Sequence, residues 1–265
     1  MRLTRFVMLG LALTAMAACE GDKVTTTTPP ALAGVRVINA IADSGAIDAR
    51  MIDQVEWSIE ANNLQFRAGT AYLPTEAKSR HIRVFTFNTV SPTMANVTGI
   101  LADTTLTFAA NGRYTLLLTG SARAKTVKVN LISDDAPTLA AGQIALRTVN
   151  ASTGAVSSFV TTNGTDALPS TPTAANLAPL AASPYITRST GSVAVRVTDN
   201  GSTIVNATQA GPAAPAGPAG SILAAGVGSS GTAFSVYYFP RGVAGSPQTA
   251  TTPAIIWFVD RQPTS

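Results

Sequence analysis

The sequence predicts an all-β protein with two tandem antiparallel β-sandwich domains of the immunoglobulin-like kind. Short segments such as His81–Phe87 and Thr126–Ile132 either alternate between apolar and polar residues or form apolar runs, and both patterns are typical of strands. Turn-forming pairs such as Asn111-Gly112 and Asn200-Gly201 separate these segments. Four segments then recur in the same order in the second half of the chain, which predicts two copies of one domain.

The first eighteen residues predict a bacterial export signal. Arg2 and Arg5 precede an uncharged, mostly apolar run, Phe6–Ala17, which is too short to remain as a membrane-spanning helix. The junction Met16-Ala17-Ala18-Cys19 resembles a bacterial lipobox, although methionine stands where leucine is usual. The resemblance implies that residues 1–18 are removed and that Cys19 becomes lipidated. The alternative is a stray thiol beside an ordinary cleavage site.

The lipid on Cys19 is the only membrane anchor that the sequence predicts, and two or more acyl chains hold a protein stably at a bilayer. Glu20 rather than aspartate follows the cysteine, and the resemblance to bacterial sorting signals then implies transport to the outer membrane. Residues 19–33 combine a threonine run with Pro29-Pro30 and predict a disordered or extended tether. We therefore expect an exported protein, on the periplasmic face of the outer membrane or at the cell surface.

The predicted domains are residues 34–139 and 140–265, each near the size of a small β-sandwich. The spacing from Tyr72 to Ile82 is the same as that from Tyr185 to Val195, and a fixed order of four matches is hard to obtain by chance. The matches are Val35–Ala40 with Leu146–Ala151, Tyr72 and Ile82–Val84 with Tyr185 and Val195–Val197, Gly112–Leu118 with Thr232–Tyr238, and Val129–Pro137 with Ile255–Pro263. The segment Gly211–Gly220, rich in proline and glycine, has no counterpart and predicts a flexible surface insertion.

Several of these motifs together resemble a known family. They are the opening Arg36-Val-Ile-Asn-Ala40, the strand that begins Tyr114-Thr115, the turn Asp134-Asp-Ala-Pro137 and the second opening Arg147-Thr-Val-Asn-Ala151. Residues 34–152 resemble the tandem β-sandwich repeats of domain of unknown function 4397. The resemblance implies a β-sandwich fold on secreted or envelope proteins, often lipoproteins. It implies no catalytic residue.

Charge gives no sign of a nucleic-acid partner. The formal net charge is +4, and loss of Arg2 and Arg5 with the signal takes the 18 basic residues to 16 against 14 acidic ones, a charge of +2. Charged residues make up only 12% of the 265-residue chain. A nucleic-acid-binding surface needs a concentrated basic patch, and the sequence has none.

Candidate catalytic and metal-binding residues are few. The single histidine, His81, lies in a predicted strand, where a half-buried polar role is commoner than catalysis. Lipid on Cys19 would exclude a cysteine nucleophile and a zinc–thiolate site. Asp134-Asp135 and the pair Asp43 and Asp48 could supply some oxygen ligands to calcium, or serve glycoside hydrolysis, but aspartates in loops more often stabilise turns. We expect no catalytic residue, no metal and no cofactor.

Two classes of function remain open. The first is a non-enzymatic envelope protein that binds a protein or glycan or acts as a spacer, with contact residues in the loops Asp43–Asp48 and Gly211–Gly220. The second is an envelope hydrolase with an unrecognised site. Trp57, Tyr72 and Trp257 could form a sugar platform, although single aromatics in strands are usually core. A non-catalytic module should have no coupled polar cluster in a pocket, whereas an enzyme should have one.

Overall fold

The computed structural model describes residues 29–54, 61–87, 99–213 and 225–263. Residues 31–265 form one compact unit, and residues 1–30 form another, of which only 29 and 30 are described. The predicted signal, Cys19 and most of the tether lie outside the described residues, as do Trp57 and most of the Gly211–Gly220 insertion.

The compact unit is all-β, as the sequence predicts, and no α-helix occurs in the described part of the chain. Its strands are β1 Leu32–Asn39, β2 Ile47–Met51, β3 Leu73–Glu76, β4 Ser79–Thr86, β5 Ile100–Thr107, β6 Arg113–Thr119, β7 Lys128–Ser133, β8 Gln143–Asn150, β9 Val156–Thr161, β10 Ala174–Leu177, β11 Ile186–Ser189, β12 Ala194–Asp199, β13 Val205–Ala210, β14 Ala233–Phe239 and β15 Ala254–Arg261.

Two sheets form in each half of the unit. The first half contains the sheets β3-β1-β6-β7 and β2-β4-β5, and the second half contains β11-β8-β14-β15 and β10-β9-β12-β13. The sheets that contain β1 and β8 have the same order, with one parallel pair each, β1 with β6 and β8 with β14. The prediction of antiparallel sandwiches did not include these parallel pairs, which long crossover connections make possible.

β1 is buried on both faces because it lies between two cores. Val35 and Val37 pack into the core of the first half, and Ile38 packs into a third core that also contains Val149 and Tyr237 of the second half. A second-half core contains Ile144, Leu146 and Phe234, among others. The third core joins the two predicted domains, so both lie in one compact unit. The boundary between residues 139 and 140 and the number of immunoglobulin-like sandwiches stay predictions.

The asparagine of each opening motif ties the loop that follows its strand to a distant segment. Its side-chain oxygen accepts from the backbone nitrogen two residues later, Ile41 N at 3.0 Å and Ser152 N at 2.9 Å. The Asn39 side-chain nitrogen donates to the carbonyl oxygen of Leu64 at 3.0 Å, and the Asn150 nitrogen donates to that of Leu177 at 2.9 Å. Both asparagines are fully buried, and a buried amide is costly unless it is hydrogen-bonded. These contacts explain why an asparagine ends both β1 and β8.

Candidate functional site

A group of buried charges lies between the two halves. Arg36, in the middle of β1, donates from Nε to Thr115 Oγ1 at 2.6 Å and from Nη2 to Asp260 Oδ1 at 2.6 Å. Its Nη1 donates to the carbonyl oxygen of Val259 at 3.3 Å. Arg36 therefore binds a threonine of its own half and a carboxylate of the other half.

Arg147, in β8, makes the equivalent contacts from the second half to the first. Its Nε donates to Ser235 Oγ at 2.8 Å, and its Nη1 donates to the carbonyl oxygen of Ser133 at 2.8 Å. Its Nη2 forms an ion pair with Asp134 of the first half. Each half thus supplies an arginine to the aspartate of the other, the reciprocal pattern of a two-fold interface.

Four hydroxyl groups complete the arrangement. Tyr72 donates to Asp134 Oδ2 at 2.8 Å and Tyr185 donates to Asp260 Oδ2 at 2.7 Å. Thr115 and Ser235 donate to the same two oxygens at 2.6 and 2.7 Å. Buried carboxylates are stable when ion pairs and hydrogen bonds satisfy all their oxygens. We call these eight residues the buried ion cluster: Arg36, Tyr72, Thr115, Asp134, Arg147, Tyr185, Ser235 and Asp260.

Burial shifts the pKa of several members of the cluster. Burial disfavours the charge of Arg36, but Tyr237, Asp260 and Asp134 outweigh it and raise the pKa of Arg36. Burial also raises the pKa of Tyr72 and of Tyr185, so both hydroxyls remain protonated donors. The pKa of Asp134 is raised by burial, against the opposing effect of Arg36. The cluster is therefore a set of electrostatically coupled groups.

A small cavity of about 330 Å³ borders the cluster and is lined in part by Arg113, Asp134, Asp260 and Arg261. The side chains of both aspartates are 0% exposed, and donors already occupy their oxygens. The sequence predicts a turn at Asp134-Asp135. Asp134 lies in the segment directly after β7, but it is buried against the second half, which the sequence did not predict.

His81 lies in β4, as predicted, and contacts a residue of the neighbouring strand. Its Nε2 is within hydrogen-bond distance of Asp103 in β5, and Arg83 Nε donates to the other oxygen of Asp103 at 2.7 Å. The side chains of His81 and Asp103 are 39% and 41% exposed. This group is a surface cross-strand ion cluster, and pairs of this kind contribute little to stability.

The structure separates the two aspartates that the sequence suggested as calcium ligands. Asp43 accepts hydrogen bonds from Ser121 Oγ at 2.5 Å and from the backbone nitrogen of Ala122 at 2.8 Å. Asp48 instead accepts from Arg50 at 3.0 Å and from the backbone nitrogen of Asn63 at 2.8 Å. Burial would raise the pKa of Asp43, but its hydrogen bonds outweigh burial and lower it. Asp43 is therefore an ionised acceptor that holds the loop after β6.

The suggested aromatic platform is not assembled in the described residues. Tyr72 belongs to the buried ion cluster, and Trp257 in β15 packs edge-to-face on Phe234 with ring centroids 5.5 Å apart. Trp57 lies outside the described residues. Tyr72 and Trp257 therefore serve packing and hydrogen bonding inside the fold.

A groove of about 1240 Å³ lies among the loops at one end of the strands, and sequence reasoning found only one part of it, Asp43. Its walls are residues 42–43 after β1, residues 120–126 after β6 and residues 240–251 after β14, with Thr153 after β8. We call it the loop groove. Both halves contribute walls to the loop groove. A hydrogen bond from Val243 N to Ala42 O at 2.9 Å joins the loop after β14 to the loop after β1.

Among the residues that the structure describes, no three His, Cys, Asp or Glu side chains come together in a way that could hold a metal ion. In the same residues, no helix has the length and apolar character needed to cross a membrane.

Residues 33–158 match the family model described as "Domain of unknown function (DUF4397)". The match confirms the family resemblance expected for residues 34–152, and the tandem repeats and the lipid stay predictions. The DUF4397 segment runs from β1 into β9, so it includes Arg36, Asp134 and Arg147 of the buried ion cluster. The DUF4397 segment thus contains the arginine of both opening motifs.

No curated protein matches the chain in sequence. A solved structure of family 41 carbohydrate-binding modules from streptococcal virulence factors, which recognise alpha-glucan, is 8% identical, with 67% of this chain and 86% of that chain covered and a TM-score of 0.21. A proposed cell adhesion protein from Bacteroides ovatus is 11% identical, with 88% and 96% covered and a TM-score of 0.20. At these scores neither likeness carries an argument about this chain.

Proposed function

We propose that this chain is a non-enzymatic binding module of the bacterial envelope, held at the outer membrane by lipid on Cys19. The loop groove is the observation that carries the proposal. Loops from both halves form a concave surface of about 1240 Å³, and binding residues are commonly found on loops that a rigid β scaffold supports. The export signal, the tether and this groove together favour presentation of a binding surface away from a membrane.

The hydrolase alternative has one observation in its favour, because the buried ion cluster is a coupled polar group beside a cavity. Its chemistry argues against catalysis. A general base or nucleophile needs an oxygen that substrate can approach, and the carboxylates of Asp134 and Asp260 are buried and each already accepts from at least three side chains. The cluster is better explained as the contact that joins the two halves. We therefore keep binding as the proposed function.

The test compares binding to cell envelope by the protein with and without a bulky side chain that fills the loop groove. Purified protein carrying Cys19→Ala, which removes the contribution of lipid, would be sedimented with envelope from cells that lack the protein. We expect saturable binding that Ala244→Trp abolishes, because Ala244 is an exposed wall residue of the groove. Ala110→Trp, at an exposed position outside the groove, is the matched control.

Binding that Ala244→Trp leaves unchanged would show that the loop groove is not the binding surface. Turnover of ester, peptide or glycoside substrates that disappears on His81→Ala would contradict the non-enzymatic assignment.

A further inference from the structure

We propose that the loop groove binds an acidic polysaccharide, with Arg123 and Arg241 as the residues that contact its anionic groups. The inference rests on the proposed function and names the ligand class for the same site. An arginine guanidinium presents several N–H donors in a planar fork, which suits carboxylate, sulfate and phosphate groups.

The groove has cations without carboxylate partners in the described residues. Arg123 donates only to backbone, with Nη1 at 3.4 Å from the carbonyl oxygen of Ala244 and Nη2 against that of Gly245. Arg241 is exposed, and no hydrogen bond or ion pair joins it to any described residue. The acidic residue in the walls is Asp43, whose oxygens accept from Ser121 and from backbone nitrogens. The groove therefore has positive charge available to a ligand.

A third guanidinium reaches the same loop from the first half. Arg67 Nη2 donates to the carbonyl oxygens of Pro240 and Thr252, both at 2.5 Å, and pairs with no carboxylate of the described chain. Arg36, Arg50, Arg80, Arg83 and Arg147 each pair with a carboxylate, and the other described arginines that donate only to backbone oxygens do not line the groove: Arg113, Arg188, Arg196 and Arg261. Three unneutralised cations thus surround the loop after β14, which strengthens its attraction for an anion.

The other wall residues favour a saccharide as the source of the anionic groups. The hydroxyls of Thr153 and Thr251 line the groove and make no hydrogen bond to described residues, so they are available to ligand hydroxyls. None of the described residues that line the groove is aromatic, so they offer no surface for stacking on a sugar ring. The chemistry fits a chain that carries both hydroxyls and negative charges.

Contacts within the chain fix the loops that form the groove. Asp43 fixes the loop after β6, and that loop needs a glycine at residue 120, where φ is +101° and an added Cβ would lie 2.3 Å from the carbonyl oxygen of Thr126. The loop after β14 is closed by a hydrogen bond from Gly242 N to Ala250 O at 2.7 Å. A preformed site avoids the entropy cost of ordering loops on binding.

The experiment measures the affinity of the full chain in detergent for polygalacturonate, which carries carboxylates, for heparin, which carries sulfates, and for uncharged dextran. We expect binding to at least one acidic polymer, none to dextran, and a steep fall in affinity with added salt. Arg241→Gln should weaken binding by about tenfold, the loss expected for one charge-assisted contact. Lys128→Gln, which removes an exposed cation outside the groove, should change affinity by less than about twofold.

Failure to bind either acidic polymer would overturn the inference, as would equal binding to dextran or equal loss in Lys128→Gln. Binding to polyglutamate but to neither acidic polysaccharide would replace it with an acidic protein partner. Each of these results would leave the proposed function intact if binding to envelope is still abolished by Ala244→Trp. The proposed function and the polysaccharide inference would fail together only if Ala244→Trp has no effect on envelope binding.

Discussion

Removal of Arg36 is the sharpest test of the buried ion cluster. In Arg36→Met, Asp260 Oδ1 loses the donor that lies 2.6 Å away, and the Tyr72 hydroxyl, 3.3 Å from this oxygen, already donates to Asp134 at 2.8 Å. The side chain of Asp260 is 0% exposed, so water does not replace the lost partner. Removal of one partner from a buried ion pair lowers the free energy of unfolding by about 3–5 kcal/mol.

The assay is denaturant and thermal unfolding followed by circular dichroism. At about 2–4 °C per kcal/mol for a unit of this size, Arg36→Met should lower Tm by about 6–20 °C. The fluorescence of Trp257, in a Trp57→Phe background, should report the same transition, although Trp257 lies in the other half. If Arg36→Met fails to fold, Arg36→Lys, which keeps the charge but loses the planar fork, gives the measurement instead.

Arg83→Met is the matched control. Arg83 also pairs with an aspartate across strands, but its side chain is 28% exposed and that of Asp103 is 41% exposed. Its loss should cost about 1 kcal/mol or less. Equal losses in Arg36→Met and Arg83→Met would refute the reasoning. Separate unfolding transitions for the two probes would refute the claim that the cluster joins the halves into one cooperative unit.

Three further outcomes are expected. Burial raises the pKa of Tyr72 and of Tyr185, so their contribution to stability is complete below roughly pH 10. That contribution is lost as pH rises, because the unfolded chain then releases protons that the folded chain keeps. In an alkaline titration, tyrosinate absorbance should therefore rise together with loss of β-sheet dichroism. Gly120→Ala should cost about 1–3 kcal/mol in denaturant unfolding, whereas Gly154→Ala, with open space for a Cβ, should cost less than about 1 kcal/mol. Cys19→Ala should release the protein from the membrane fraction or leave an unprocessed precursor, and mature Cys19→Ala that stays in membranes would contradict the lipobox interpretation.

Strand positions could be predicted from sequence because alternation and turn pairs are local signals. The recurring segment Val35–Ala40 coincides with β1 up to Asn39, and the predicted strand that begins Tyr114-Thr115 lies in β6. Their parallel pairing could not be predicted, because the choice of partner depends on the path of some 70 intervening residues. Local pattern determines strand existence, and the packing of distant segments determines strand neighbours.

The buried ion cluster could have been found in part. Arg36 and Arg147 stand at equivalent places in the two opening motifs, and Asp134 and Asp260 stand at equivalent places near the ends of both copies. An arginine in an alternating strand normally indicates the solvent-exposed face of that strand. The motif therefore predicts where the arginine lies in its strand but not that its side chain is buried. The third core supplies what the sequence could not, since it covers the outer face of β1 with residues of the other half.

The loop groove depends on the same joining of halves. Its wall after β14 belongs to the second half, yet it is bound by Ala42 O, by the Ser44 carbonyl that accepts from Gln248, and by Arg67, all from the first half. The relative position of the halves is fixed by ion pairs that cross between them, Arg36 with Asp260 and Arg147 with Asp134. The proposed binding surface therefore depends on buried charges that do not touch it, because these ion pairs help to hold together the halves that form its two sides.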